Sequence, residues 1–325
     1  MKKFLLSLAV TALVLASFAG CTAKPKGPVK VGIAIYKFDD TFMTNYRTEM
    51  EAYLKSKETA DTKYEITITD GKNDQATQSE QIDNFISQNY DVLIINLVDL
   101  TAAGAIIAKV KAAKIPTVFI NRQPTTDDMK LWDKITYVGA KAEDSGTYQG
   151  EIAKDLWDAG KLDTNKDGKL QYVMLMGQAI HQDAALRTEY SIKKLTDAGI
   201  VVEKLFEERA NWNRDEGQTQ MASAIAQFGA KIEVVFGNND DMALGAIQAL
   251  KAANMVVPVI GVDATAPALD AIGLGDLAGT VLNDSEGQAQ TSVDKALALL
   301  AGEVLVKEYW VPYVKVTPAN YKDFQ

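Results

Sequence analysis

The chain has 325 residues, with 34 Lys and Arg against 43 Asp and Glu, a formal net charge of −9 at pH 7 and one cysteine. An acidic surface repels phosphate and lacks the basic stripe of non-specific nucleic-acid binding, so nucleic acid is not an expected partner. A single cysteine excludes a disulfide framework and internal thiol chemistry.

The predicted elements begin with a leader. Lys2 and Lys3, the apolar run from Phe4 to Phe18, and Ala19-Gly20-Cys21 form the basic, hydrophobic and small-residue zones of an export signal. The run is too short and wrongly flanked for a spanning helix. Cys21 follows Ala-Gly as in a lipoprotein cleavage box, with Phe18 where Leu is usual, so residues 1–21 read as a signal peptide ending at a lipidated Cys21. Without this leader 32 basic residues face 43 acidic ones, a net of −11. Residues 22–28 hold two prolines and a glycine and read as a tether that cannot continue a helix.

From residue 29 on, short β-rich runs alternate with helical patterns. Strands are expected at 30–36, 64–69, 92–97, 117–121 and 136–139, and again at 172–176, 201–206, 233–236, 257–262 and 280–282. Near-continuous apolar strands such as Val92-Leu-Ile-Ile imply burial on both faces, the mark of a parallel sheet covered by helices. Roughly 300 residues exceed one typical core. The expected fold class is therefore α/β, with two doubly wound parallel-sheet lobes.

Between the two sets of strands, the nine residues Asp163 to Gln171 place oxygen-bearing side chains at alternate positions around Gly168. That is the first part of a calcium loop, but Met174 stands where an EF-hand needs its closing Glu. Either the loop is an empty polar turn or a carboxylate arrives from elsewhere in the fold. The run Tyr172-Val-Met-Leu-Met that follows reads as a strand, not an EF-hand helix.

In open sheets of this kind ligands sit beyond the carboxyl ends of the strands. The residues there are Asp39-Asp40-Thr-Phe42, Asn121-Arg122, Gly177 to Arg187, Asn211-Trp212-Asn213, Asn238-Asn239-Asp240, Asp263 and Asn283-Asp284. Planar amides, carboxylates, an Arg and aromatics suit a sugar, whose clustered hydroxyls take paired hydrogen bonds and whose C–H faces stack on rings. Phe42 and Trp212 fit the stacking role. Each residue also has a plainer reading: strand-end Asp and Asn commonly cap the next helix, and Trp212 can be core packing. His181, the sole histidine, fits hydroxyl recognition as a neutral donor beside Asp183 better than catalysis. Hydrogen bonds to charged groups contribute about 1.5–3 kcal/mol each, so a few suffice for micromolar affinity.

The strings Ile35-Tyr-Lys-Phe-Asp-Asp-Thr-Phe42, Ile95-Asn-Leu-Val-Asp99, His181-x-Asp183-x-x-x-Arg187, Asn238-Asn239-Asp240, Gly261-Val-Asp263 and Gly279-Thr-Val-Leu-Asn-Asp284 resemble those of the bacterial periplasmic galactose/glucose-binding proteins. The likeness runs from about residue 29 to the C-terminus. It implies sugar ligands at Asp40, Asn121, His181, Asp183, Arg187, Asn239, Asp263 and Asn283, with Phe42 and Trp212 as the stacking pair. It also implies a calcium cofactor held by Asp163, Asn165, Asp167, the Lys169 carbonyl, Gln171 and a distant Glu233. Departures are Lys169 in place of Gln, Ala179-Ile180 before His181, and Arg122-Gln123 where Lys-Glu is usual.

The resemblance further implies a monomeric solute-binding protein that takes D-glucose or D-galactose between two lobes and delivers it to the membrane subunits of an ABC importer; the cleavage box at Cys21 departs from freely diffusing members and implies a lipid-anchored one. It would lie in the periplasm or at the cell surface. Gly104 stands where the family contacts a chemoreceptor, although a small residue in a helix is more often packing. The expected lobes are 29–139 with 284–315, and 140–283 with 316–325, joined by three hinge strands near Gly139, Asn283-Asp284 and Val316. A sugar-responsive repressor of this fold would need a helix-turn-helix where the leader stands. A sugar-active enzyme would need a carboxylate pair held about 5–9.5 Å apart, which nothing in the chain fixes. A pentose or a nucleoside in the same fold is the remaining alternative.

Overall fold

The computed structural model describes residues 27–325, so Cys21, the leader and most of the tether lie outside the described residues. The first half runs β1 (Val29–Ile35), α1 (Thr41–Ser56), β2 (Tyr64–Asp70), α2 (Gln75–Ser87), β3 (Val92–Ile95), α3 (Ala103–Ala113), β4 (Thr117–Ile120), one-turn α4 (Thr126–Met129) and β5 (Ile135–Gly139). The second half runs α5 (Ala142–Asp158), β6 (Lys169–Met176), α6 (Gln182–Asp197), β7 (Val201–Arg209), α7 (Arg214–Phe228), β8 (Val234–Gly237) and α8 (Asp240–Ala252). It continues with β9 (Val259–Ile260), α9 (Ala266–Leu274), β10 (Thr280–Leu282), α10 (Ser285–Leu300), β11 (Glu308–Trp310) and β12 (Val314–Val316).

The strands form two sheets. In the N-terminal lobe six parallel strands lie in the order β2-β1-β3-β4-β5-β11. In the C-terminal lobe four parallel strands lie in the order β7-β6-β8-β9. Single bridges from Ile260 to Gly279 and from Asp263 to Leu282 extend this second sheet to β10, which pairs antiparallel with β12. The doubly wound parallel sheet expected for this lobe is present, with the β10-β12 antiparallel pair added at its edge.

Burial follows the sheet pattern. All four residues of β3, β4 and β8 are buried, because helices cover both faces. Met43, Tyr46 and Met50 of α1 pack with Ala289, Val293 and Ala296 of α10 on one face of the N-terminal sheet. Ile82 and Phe85 of α2 join Ile106 and Val110 of α3 on the other. In the C-terminal lobe, α7, α8 and α9 cover one face through Met221, Met242, Ala246 and Leu269, while Ile152 of α5 and Leu195 of α6 serve the other. Gly150 lets α5 approach α6 closely, since a Cβ there would sit 2.5 Å from the Ser191 carbonyl oxygen.

The chain passes between the sheets three times: after Gly139, at Asn283-Asp284, and at 311–313 between β11 and β12. The third crossing precedes the expected boundary at Val316. Val314 and Lys315 belong with the C-terminal sheet because Val314 pairs with Leu282 and Lys315 with Val281. Neither β11 nor β12 was anticipated, since three-residue strands carry too little periodicity to read.

Candidate ligand-binding site

Turns at the carboxyl ends of the strands converge on one cavity of about 330 Å³ between the lobes, lined by Tyr36, Asp40, Phe42, Met43 and Asn121 from one lobe. His181, Asp183, Arg187, Trp212, Asn239, Asp263 and Asn283 complete it from the other side. All ten side chains expected at a ligand site therefore meet in one place.

Local chemistry explains how each is held. Asp40 caps α1: its Oδ1 accepts from the Met43 N–H at 2.8 Å, and its Oδ2 accepts from the Tyr36 hydroxyl at 2.5 Å. Asn239 caps α8 by accepting from Met242 N–H at 3.0 Å. His181 caps α6 through Nδ1, which accepts the Asp183 N–H at 3.2 Å. That acceptor role assigns the proton to Nε2, which donates to Asn121 Oδ1 across the cleft at 3.3 Å. For Asp40 and Asn239 the capping role and a cavity-facing position are thus compatible, because a cap uses one lone pair of the group.

Helical spacing sets the charged centre. Asp183 and Arg187 lie one turn apart on α6, and Arg187 Nη2 donates to Asp183 Oδ2 at 3.1 Å and to the Tyr313 hydroxyl at 3.0 Å. Its Nη1 donates to the Asn238 carbonyl at 2.7 Å and lies 4.0 Å from Asp263 Oδ1. Asp263 also accepts from Asn283 Nδ2 at 3.1 Å, and Asn283 Oδ1 accepts from Gln288 Nε2 at 2.6 Å. Burial pushes the Asp183 carboxyl up to about 6, opposed by Arg187. Burial likewise holds Asp263 well above the usual carboxylate range, again opposed by Arg187. Burial holds the His181 imidazole well below its ordinary value, with Arg122 and Arg187 adding to the effect, so the ring is neutral.

Three cavity residues also carry positive-φ backbone. Asn121 has φ 58°, Trp212 φ 66° and Asp263 φ 127°, in a region that costs non-glycine residues about 1–3 kcal/mol each. Trp212 lies flat on Gly177, where a Cβ would be 2.0 Å from the indole ring. Its ring meets His181 edge-on at 5.2 Å between centroids. Trp212 Nε1 and Arg187 Nε are buried donors without a protein partner among the described residues. Carboxylate acceptors, fixed donors and two aromatic faces in one closed space suit a small molecule rich in hydroxyls and bearing an apolar face.

Residues 31–303 match the periplasmic binding protein domain. The chain belongs to the periplasmic binding protein family. This binding protein is 38% identical over 306 residues to the D-galactose/methyl-galactoside binding periplasmic protein of Haemophilus influenzae, covering 91% of each chain. It is 37% identical to a putative rhizopine-binding protein of Rhizobium meliloti, covering 100% of this chain and 99% of the relative. Among solved structures, an ABC transporter solute binding protein from Bacillus halodurans with bound myo-inositol superposes with a TM-score of 0.80 at 32% identity. That match covers 93% of this chain and 99% of the other.

Three residues at or beside the cavity escaped the reading of strand ends. Tyr36 and Met43 line it, and Tyr313 holds Arg187 from the third crossing. Tyr36 directly follows β1 and was within reach of the strand-end rule. Tyr313 carries no local signal at all, since its position follows from a long-range crossing.

The loop expected to hold a metal lies at the far side of this lobe. Glu233 does reach it: its Oε1 accepts from Thr164 N–H at 2.6 Å and its Oε2 from Gln171 N–H at 3.2 Å. Asp167 Oδ2 accepts from Gln171 Nε2 at 2.7 Å, and Asn165 Oδ1 accepts from Asp167 N–H at 2.9 Å. Among the described residues no three carboxylate, imidazole or thiolate side chains converge closely enough to hold a metal ion. The donor set itself, three carboxylates, two amides and the Lys169 carbonyl, is all hard oxygen and fits calcium chemistry.

Proposed function

We propose that this chain is the sugar-capturing component of an ABC importer, enclosing D-glucose or D-galactose between its lobes. The carrying observation is the cavity itself, in which Asp40, Asp183, Asp263 and Arg187 meet Phe42 and Trp212 from opposite lobes. In this reading the carboxylates and amides take paired sugar hydroxyls, Arg187 donates through its unpartnered Nε, and the two rings cover the C–H faces. The D-galactose-binding relative supports a pyranose. Closure about the three crossings excludes water, which strengthens every polar contact to the ligand. Titration calorimetry against D-glucose, D-galactose, D-ribose and myo-inositol tests this; a pyranose should bind most tightly, and no pyranose binding refutes it.

A cyclic polyol is a second reading, supported by the myo-inositol bound in the Bacillus halodurans protein and by the rhizopine-binding relative. The same titration separates the two. Calcium belongs to the proposal as a structural ion: Asp163, Asn165, Asp167, the Lys169 carbonyl, Gln171 and Glu233 would hold it. It would supply charge neutralisation that ties β6 to the loop before it and to the start of β8. Anchorage through a lipidated Cys21, delivery to importer membrane subunits, and contact with a chemoreceptor near Gly104 complete the proposal.

A further inference from the structure

Arg122 is the largest fully buried side chain among the described residues, and it is a charge. Its Nη1 donates to the Val98 carbonyl at 2.6 Å within the N-terminal lobe, and its Nη2 crosses the cleft to Gln178 Oε1 at 2.6 Å. Gln178 Nε2 returns to the N-terminal lobe by donating to Asn73 Oδ1 at 3.2 Å. The guanidinium stacks 3.8 Å from the centre of the Tyr36 ring, whose hydroxyl holds Asp40, and Arg122 Nε has no partner. Among the described residues no carboxylate forms an ion pair with Arg122.

A buried guanidinium with no carboxylate in direct contact is costly, and its hydrogen bonds offset that cost together with the nearby charges of Asp40 and Asp183. A residue serving only the N-terminal core would not reach into the other lobe for one of them. Opening the lobes would break the Gln178 bond and let water reach the guanidinium, so Arg122 senses whether the cleft is shut. The stacked Tyr36 carries that state to Asp40 inside the cavity. Asn73 and Gln178 also line an outer groove of about 930 Å³ shared by both lobes, which places this bond on the rim of the cleft.

We infer that Arg122 and Gln178 form an interlobe latch that sets the rate of ligand release. Arg122 acts as a positioning residue: it does not line the cavity but fixes Tyr36 and the closed state. The inference rests on the reading that ligand binds between the lobes, and the experiment separates the two.

The test uses Gln178, which is half-buried and replaceable without opening a core. Stopped-flow fluorescence of the full chain is followed with whichever of D-glucose, D-galactose and myo-inositol the parent binds most tightly. Gln178→Ala should speed dissociation about tenfold, the factor of one hydrogen bond to a charged group, with association within about twofold of the parent. Gln178→Glu supplies a counter-ion and should release more slowly than Gln178→Ala. A dissociation rate for Gln178→Ala less than about threefold faster, a change carried by association, or faster release from Gln178→Glu overturns the latch. If none of the three ligands binds the parent, the proposed function fails instead. The latch is then read from interlobe fluorescence energy transfer in the free protein, where Gln178→Ala should lengthen the distance and an unchanged distance overturns it.

Discussion

Replacing Asp263 by Asn should separate binding from folding. The carboxylate sits 4.0 Å from Arg187 Nη1, accepts from Asn283 at 3.1 Å, and is held well above its usual pKa by burial. Asn keeps the shape and one oxygen, so Asn283 retains an acceptor. Two hydroxyl contacts then lose their charge assistance, about 1–1.5 kcal/mol each, and one face of the group changes from acceptor to donor. The expected loss of affinity is about 3 kcal/mol, or about a hundredfold. The free protein should behave in the opposite way, because a neutral amide avoids the burial cost of ionising Asp263 at neutral pH. Calorimetry with the tightest-binding sugar, beside a thermal melt without ligand, measures both. Affinity within about threefold of the parent, or a free protein that melts far below it, would refute the assignment of Asp263 as a ligand-reading carboxylate.

Affinity should depend on pH. Asp183 has a folded value of about 6 against an ordinary 3.8, so the free folded protein holds this proton more tightly than the unfolded chain does. From this group the free protein loses stability as pH rises between those values, by at most about 3 kcal/mol. Ligand hydroxyls donate to the ionised form, so affinity should climb with pH through about 6 and level off above it; flat calorimetric affinities from about pH 4.5 to 7.5 would sink this. For the calcium proposal, a chelator should lower the melting temperature, with about 2.7 kcal/mol at stake when calcium is at about one hundred times its Kd, and Glu233→Gln should abolish the difference. Gly177→Ala should reduce sugar affinity and shift Trp212 fluorescence, since the added methyl would lie 2.0 Å from the indole ring; a parent-like affinity and spectrum would contradict that packing.

Much of this protein is written locally. The alternation of apolar strands with helical patterns depends on neighbours a few residues apart, so the two sets of strands and the cavity-lining turns at their carboxyl ends are legible in the chain. The same holds for the spacing of Asp183 and Arg187, which one helical turn makes neighbours. Asp40 and Asn239 showed two plausible roles, and the structure places each both as a cap and on the cavity wall, while the cap that His181 forms was not legible in the chain. Tertiary structure alone decided the rest. β11 and β12 exist because they find partners in β5 and β10, far away in sequence. Tyr313 meets Arg187 only through the third crossing, and Arg122, beside an expected ligand residue, proves to be a buried charge spanning the lobes. The shifts of Asp183 and Asp263 likewise arise from burial between lobes. Periodicity and capping are short-range properties of the chain, whereas burial, desolvation and contact across a cleft arise only when distant segments pack together.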